Sequence, residues 1–425
     1  MTKTLNNFRF NIPALRSRNY QLFFAGQGIS LIGSWMTQVA TVWLVYQLTN
    51  SPLLLGVVGF TSQIPSLFLA PFGGVMVDRW NTRKILVITQ VLAMIQSLAL
   101  AALALTGMIS ISHIIFLSLF QGVINALDAP ARQTFVPEMV ERRADLASAI
   151  ALNSSLVNGG RLIGPAIAGI LIARVGASYC FLIDGVSYIA VIAALLAMNV
   201  KPKKKFPKTG NALQRIKEGF IYSYNSPLIR SVLLLLALFS LMATPYMTLI
   251  PIFATKILGG DAHTLGFLTS ASGVGALIGG IYLSTRKSVL GLGRIIAFAP
   301  ALCGVGIIVF ALSRTLWVSM LMLLIVGLGS ILQISSSNTV IQTIVEDDKR
   351  GRVMSLFTMA LLGMFPFGNL FGGILAERIG APNTLMIGGV FCILGSLLFA
   401  KYLPKIRQAT RSIYQQKGII PADAS

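Results

Sequence analysis

Two charged residues stand inside long apolar runs of this 425-residue chain. Asp184 lies in FLIDGVSYIA and Arg161 in NGGRLIGPAIAG. Burying a charge in such a run is costly, so the residue marks a proton, ion or substrate route. One reading has Asp184 take up and release a proton. Arg161 then tunes that carboxyl or holds an anionic group of a substrate. The plainer reading is a buried ion pair, or a carboxylate bonded to nearby backbone. The two residues stand at heights about 9 Å apart if their helices are upright.

Other reactive groups are sparse. The chain has two histidines, His113 and His263, at the starts of apolar segments. Cys180, Cys303 and Cys392 sit singly, without CxxC or Cys/His ligand spacing, so neither a disulfide framework nor a metal site is expected. No GxxxxGK[ST], GxSxG or HExxH occurs. Nucleotide hydrolysis and the common hydrolase chemistries have no residues to run on, and neither a cofactor nor enzymatic activity is expected.

The elements that position these residues follow from composition. Hydrophobic residues make up 55% of the chain and charged residues 11%, less than half of the roughly 25% usual for a soluble domain. A chain this poor in charge cannot cover a water-facing surface, which places it in a membrane. Twelve segments have the roughly 20 apolar residues that a crossing needs. They are 20–47, 51–77, 85–106, 111–128, 147–173, 177–199, 231–255, 263–285, 293–313, 316–340, 353–375 and 381–403. Without period-2 alternation, and with backbone groups needing partners inside each element, the segments are helices rather than barrel strands. The predicted class is all-α and integral to the membrane.

Charge sets the orientation. Of 34 Lys and Arg, 29 fall on the side of the N-terminus, four on the other, and Arg161 within a span. The positive-inside rule puts both termini in the cytoplasm of a multi-pass protein of the plasma membrane, the inner membrane in a bacterium. The net charge of +21 is thereby a topological excess, and a nucleic-acid partner is not expected. The first 19 residues lack the apolar core and cleavage site of a signal peptide.

The longest inner loop, Lys201 to Arg230, divides the spans six and six. Four regions follow: an N-terminal half at 1–199, a basic linker at 200–230, a C-terminal half at 231–403 and a cytoplasmic tail at 404–425. Within the linker, Leu213, Ile216, Phe220 and Ile221 share one helical face, and a basic amphipathic helix lying on the membrane surface is expected. The halves repeat. QTFV at Gln133 and GILIARVGA at Gly169 match QTIV at Gln342 and GILAERIGA at Gly373. Parallel six-helix repeats suit transport by alternating access, with substrate bound between halves near the midplane.

The 6+6 plan, the basic loop and GGVMVDRWNTRK, Gly73 to Lys84, resemble the major facilitator superfamily over the whole chain. The family signature falls on Gly74, Asp78, Arg79, Arg83 and Lys84, with Asn81 where the family has glycine. Asn tolerates the left-handed backbone, so a left-handed turn is expected at Asn81. An inner gate is expected at these residues, joined by Asp128 at the end of the fourth span and Arg132 just beyond it through charge contacts with neighbouring loops. A plain helix-end role for Asp128 stays open. The second half offers GGIYLSTRK, with Ser284 and no carboxylate, so an asymmetric gate is expected. In the fifth span Gly160, Gly164, Pro165 and Gly169 resemble the antiporter motif of superfamily exporters. Close helix packing is the alternative reading.

DAPARQTFVPEMV, GRLIGPAIAG and FLIDGVSYIA resemble the branch of enterobactin exporters and macrolide-efflux pumps. The superfamily arrangement would turn spans 1, 4, 7 and 10 toward the cavity, making Gln38, Gln121, Asn125, Tyr246 and Gln333 candidates for substrate contact. Gln63, Asn158, Phe365 and Asn369 add to them from spans 2, 5 and 11. Hydrogen bonding from helix to helix is the competing use of each. The function expected is proton-coupled export of an amphipathic drug-like or siderophore-like molecule by a monomer in the lipid bilayer. A lipid or lysolipid flippase of the same fold and a non-transporting receptor or scaffold are the alternatives.

Overall fold

The computed structural model describes residues 13–200, 212–286, 288–346 and 349–416. Among them there are helices and no strands, and twelve helical segments are long and apolar enough to cross a membrane. The first six are Arg18–Thr49, Pro52–Arg79, Thr82–Leu105, Ile111–Met139, Leu146–Val175 and Ala177–Ala197. A separate helix, Ala212–Asn225, precedes the seventh span, Pro227–Ile257. The remaining spans are Ala262–Thr285, Leu292–Leu312, Leu316–Ile344, Arg350–Ile379 and Ala381–Pro404. The chain divides into two compact units. One holds residues 1–208 with 254–270, the other 209–253 with 271–425. The eighth span is therefore shared, its first turns packing with the first unit.

Local signals set the helix ends. Ser51 and Asn81 cap the second and third spans by accepting from Leu54 N at 3.4 Å and Lys84 N at 3.2 Å. Pro52 and Pro227 open their helices, where a missing N–H costs nothing. Proline also breaks two spans. The seventh runs Pro227–Ala243, restarts at Pro245, and passes into a π-helical turn at Phe253–Ile257 after Pro251. The eleventh is interrupted at Gly363, three residues before Pro366.

The fourth span ends differently from the expectation. Its helix continues through Pro130 and Pro137 to Met139, so Asp128 lies within it and not at its end. Pro130 leaves the carbonyl of Ala126 without its helical donor. Gly73 of the second span packs directly on that oxygen, where any Cβ would collide.

In the first unit the first span packs on the fifth and sixth, the second on the fourth, and the third on the fourth and sixth. Tyr20, Phe23, Phe135, Met139 and Leu195 belong to its apolar core. In the second unit the ninth span packs on the tenth and twelfth, and the seventh on the twelfth. Its core includes Val232, Leu236, Ile296, Ile341 and Phe357.

Candidate functional site

Asp184 is 2% exposed, and hydroxyls from two other spans surround it. Thr37 Oγ1 of the first span and Ser97 Oγ of the third each donate to Oδ2 at 3.0 Å. Ser34 Oγ of the first span reaches Oδ1 at 3.4 Å. The first span can come this close because residue 33 is glycine. A Cβ there would stand 2.8 Å from Asp184 Oδ1 and 3.0 Å from its Cα. Two of the three hydroxyls have a second acceptor in reach. Ser97 Oγ lies 2.9 Å from the carbonyl of Phe181, and Ser34 Oγ 3.0 Å from that of Ser30. They can serve a charged carboxylate or turn away from a neutral acid without losing a partner.

Arg161 is not brought to Asp184, and no ion pair joins them among the described residues. Its guanidinium instead lies over the ring of Trp35, with Cζ 5.9 Å from the centroid. The same tryptophan meets the glycines of the fifth span. A Cβ on Gly160 would stand 3.1 Å from Trp35 Cδ1, and one on Gly164 2.5 Å from Trp35 Cβ. Gly169 faces the eighth span, 3.0 Å from the Cα of Gly266 by the same measure. Ser270 Oγ donates to the carbonyl of Leu162 at 3.0 Å beside this contact. Pro165 is buried in the same helix, and its carbonyl faces Gly266. The motif thus packs against two helices, which is what its small residues permit.

A second buried carboxylate, Asp128, is 6% exposed. It pairs with Arg132 one turn along its own helix and accepts from Thr89 Oγ1 at 2.9 Å and Gln90 Nε2 at 2.8 Å. The signature residues lead into the third span, which carries Thr89 and Gln90. Arg83 donates through Nε and Nη2 to the carbonyls of Leu195 and Leu196, each at 2.6 Å, and so closes the C-terminal end of the sixth span. Arg79 and Lys84 are exposed. The surroundings of Gly74 and the side chain of Asp78 lie outside the described residues. Asn81 makes no left-handed turn: its φ is −68° and ψ 114°. It is an N-cap, and a capping side chain requires that extended backbone.

The remaining candidates are scattered in role. Gln38 and Asn125 are exposed, and Gln121 Nε2 donates to Asn125 Oδ1 at 3.1 Å. Gln63 and Phe365 are half-buried, and Asn158 bonds to the carbonyl of Ser154 on its own helix at 2.9 Å. In the second unit Tyr246 Oη meets Ser272 Oγ at 2.8 Å, and Thr248 Oγ1 donates to Asn369 Oδ1 at 2.9 Å. Gln333 is fully buried, and neither atom of its amide has a partner among the described residues. Ser336 and Ser337, one turn further along, are buried and unpartnered as well. Toward the end of the same span, Ser335, Asn338, Thr339, Gln342 and Thr343 line a polar cavity of about 440 Å³ with Arg350.

The sequence reading missed Ser34, Thr37, Ser97, Thr89 and Gln90. Hydroxyls inside apolar helices normally bond to their own backbone, so nothing in their spacing set these apart. A search for Ser, Thr and Gln on neighbouring helices at the depth of each buried acid would have found them.

Comparison with known proteins agrees with the fold. A family model described as transmembrane secretion effector matches residues 11–417. The staphyloferrin A transporter of Staphylococcus aureus is 25% identical, with 89% of this chain and 94% of that protein covered. The multidrug efflux pump Tap of Mycolicibacterium fortuitum is also 25% identical, covering 88% and 93%. The enterobactin exporter EntS of Shigella boydii is 25% identical, covering 86% of each chain. Among solved structures, a bacterial homolog of the human lysosomal transporter Spinster superposes with a TM-score of 0.71 at 14% identity, covering 92% and 97%. With twelve apolar helices, this fold and a family match over nearly its whole length, the chain belongs to the transmembrane secretion effectors, a family of major facilitator transporters.

Proposed function

We propose that this protein is a proton-coupled exporter of amphipathic small molecules, of drug or siderophore type, working by alternating access. The observation that carries the coupling is Asp184. It is a carboxyl buried between the first, third and sixth spans, without an ion pair among the described residues, held by hydroxyls of which two have a second acceptor. A salt-bridged acid would resist protonation, whereas this one can change charge while its neighbours rotate. The names of the relatives support export and the substrate class. The excess of cations on one side supports cytoplasmic termini and a bacterial inner membrane. Arg161, resting on Trp35, is available to meet an anionic group of the substrate.

The test is flux in proteoliposomes under an imposed proton gradient, screened over drugs and siderophores. Wild type is expected to show gradient-driven efflux of at least one compound. Asp184→Asn is expected to lose gradient-driven flux by tenfold or more, on the order of the 1.4 kcal/mol that separates each decade of rate, while still binding the compound. Unchanged proton-driven efflux in Asp184→Asn overturns the assignment.

A further inference from the structure

The helix Ala212–Asn225 joins the seventh span through Ser226 alone and so cannot leave the end of that span. One side of it is fastened to the start of the eleventh span. Glu218 Oε2 pairs with Arg352 Nη1 at 2.7 Å. Gly219 lies against the same residue, where a Cβ would stand 3.0 Å from Arg352 Cβ. Lys349 Nζ sits 4.8 Å above the ring of Tyr222. Ser223 is buried on this side.

The other side is apolar and uncovered. Phe220 is 60% exposed, Ile221 49% and Tyr224 59%. Phe220 and Tyr224 stack with centroids 6.3 Å apart, and Arg230 lies 5.1 Å over Tyr224. Exposed side chains are ordinary on spans, which meet lipid tails. Here they form a narrow strip on a helix too short and too polar to cross a membrane. The charge along this stretch of the sequence is one-sided. From Lys201 to Arg230 the sequence holds eight cations and a single acid, Glu218, and that acid is paired. An aromatic strip with Arg230 over one of its rings, in a stretch of sequence this rich in cations, complements an anionic phospholipid surface, because rings settle at headgroup depth and each nearby cation adds attraction.

We propose that this helix reads anionic lipid in the leaflet beside it. Phe220, Ile221 and Tyr224 sit among the headgroups, and the Glu218–Arg352 pair passes that attachment to the start of the eleventh span. The first half of the proposal concerns where the strip lies and is independent of transport. The second half, dependence of rate on lipid, rests on the transporter reading.

The first arm uses a spin label on Ile221→Cys, with the three buried native cysteines replaced by alanine. The full chain is placed in vesicles of phosphatidylcholine with or without phosphatidylglycerol. In anionic vesicles the label is expected to be relaxed by oxygen more than by a water-soluble nickel chelate. Equal access to the chelate in both vesicles overturns the proposal. So does exclusion of both reagents, which would mean that another part of the chain or a second copy covers the strip. The second arm measures flux in the same vesicles. Wild-type flux is expected to rise with phosphatidylglycerol. Glu218→Gln and the triple change of Phe220, Ile221 and Tyr224 to serine are expected to lose that rise and keep their flux in neutral vesicles. Exchanging the charges, Glu218→Arg with Arg352→Glu, is expected to restore it. An undiminished lipid response in Glu218→Gln overturns the coupling. Flux absent in every lipid, with the label still at headgroup depth, overturns the transporter reading and spares the placement of the strip.

Discussion

The two units differ at their most deeply buried polar residues. In the first, Asp184 and Asp128 have three partners each, drawn from neighbouring helices or from the next turn. In the second, Gln333 lies fully buried, and its amide and the hydroxyls of Ser336 and Ser337 have no partner among the described residues. The offset that relates Gln133 to Gln342 places Ser337 opposite Asp128. Where the fourth span has Arg132, the tenth has Ile341, part of an apolar core with Val340 and Ile344. Corresponding positions thus hold a charged cluster in one unit and a bare hydroxyl beside an apolar core in the other. The difference reflects what each group costs. An unpaired buried carboxylate costs several kcal/mol, so its surroundings must be complete. A neutral amide or hydroxyl left bare costs about 1–3 kcal/mol, which a packed helix bundle tolerates.

The comparison is broken most directly at Asp128. Asp128→Ala strips Arg132, Thr89 and Gln90 of a shared acceptor, and thermal or chaotrope unfolding in detergent should record a loss of roughly 2–3 kcal/mol, tempered by the partial exposure of Arg132. The corresponding Ser337→Ala should be close to neutral. Equal losses for the two would mean that the units do not differ as described.

Gly33→Ala tests how tightly the Asp184 cluster is built. The added methyl meets Asp184 Oδ1 and Cα, so a destabilisation of about 1–3 kcal/mol is expected from overpacking. Retained stability would show slack between the first and sixth spans.

The smallest expected effect is the most discriminating. Gln333→Leu removes two bare polar atoms from a buried site and should leave stability unchanged or raise it by about 1 kcal/mol. If flux falls in this variant while stability holds, the bare amide serves the substrate. If neither changes, Gln333 is a tolerated polar group and leaves the list of substrate contacts.

Much of this was legible in the sequence, and the parts that were not share a cause. GGVMVDRWNTRK announced a structured connection after the second span, but not the conformation of Asn81. Asn suits both a left-handed turn and an N-cap, and only the backbone direction entering the third helix decides between them. Pro130 looked like the end of a helix. It is instead carried inside one, because Gly73 lets the second span pack on the carbonyl that the proline leaves free. Asp184 and Arg161 were conspicuous as charges in apolar runs, yet in the fold they are not partners.

Twelve apolar segments, the duplicated plan and the family can be read from the order of residues alone. These depend on segment length, composition and local order, which no distant contact can alter. Tertiary structure alone decided that Thr37, Ser97 and Ser34 serve Asp184, that Arg161 rests on Trp35, and that Gly169 meets Gly266. A hydrogen bond or a glycine contact needs two helices at one depth and one rotation, and residues 147 positions apart carry no mark of that meeting in their order along the chain.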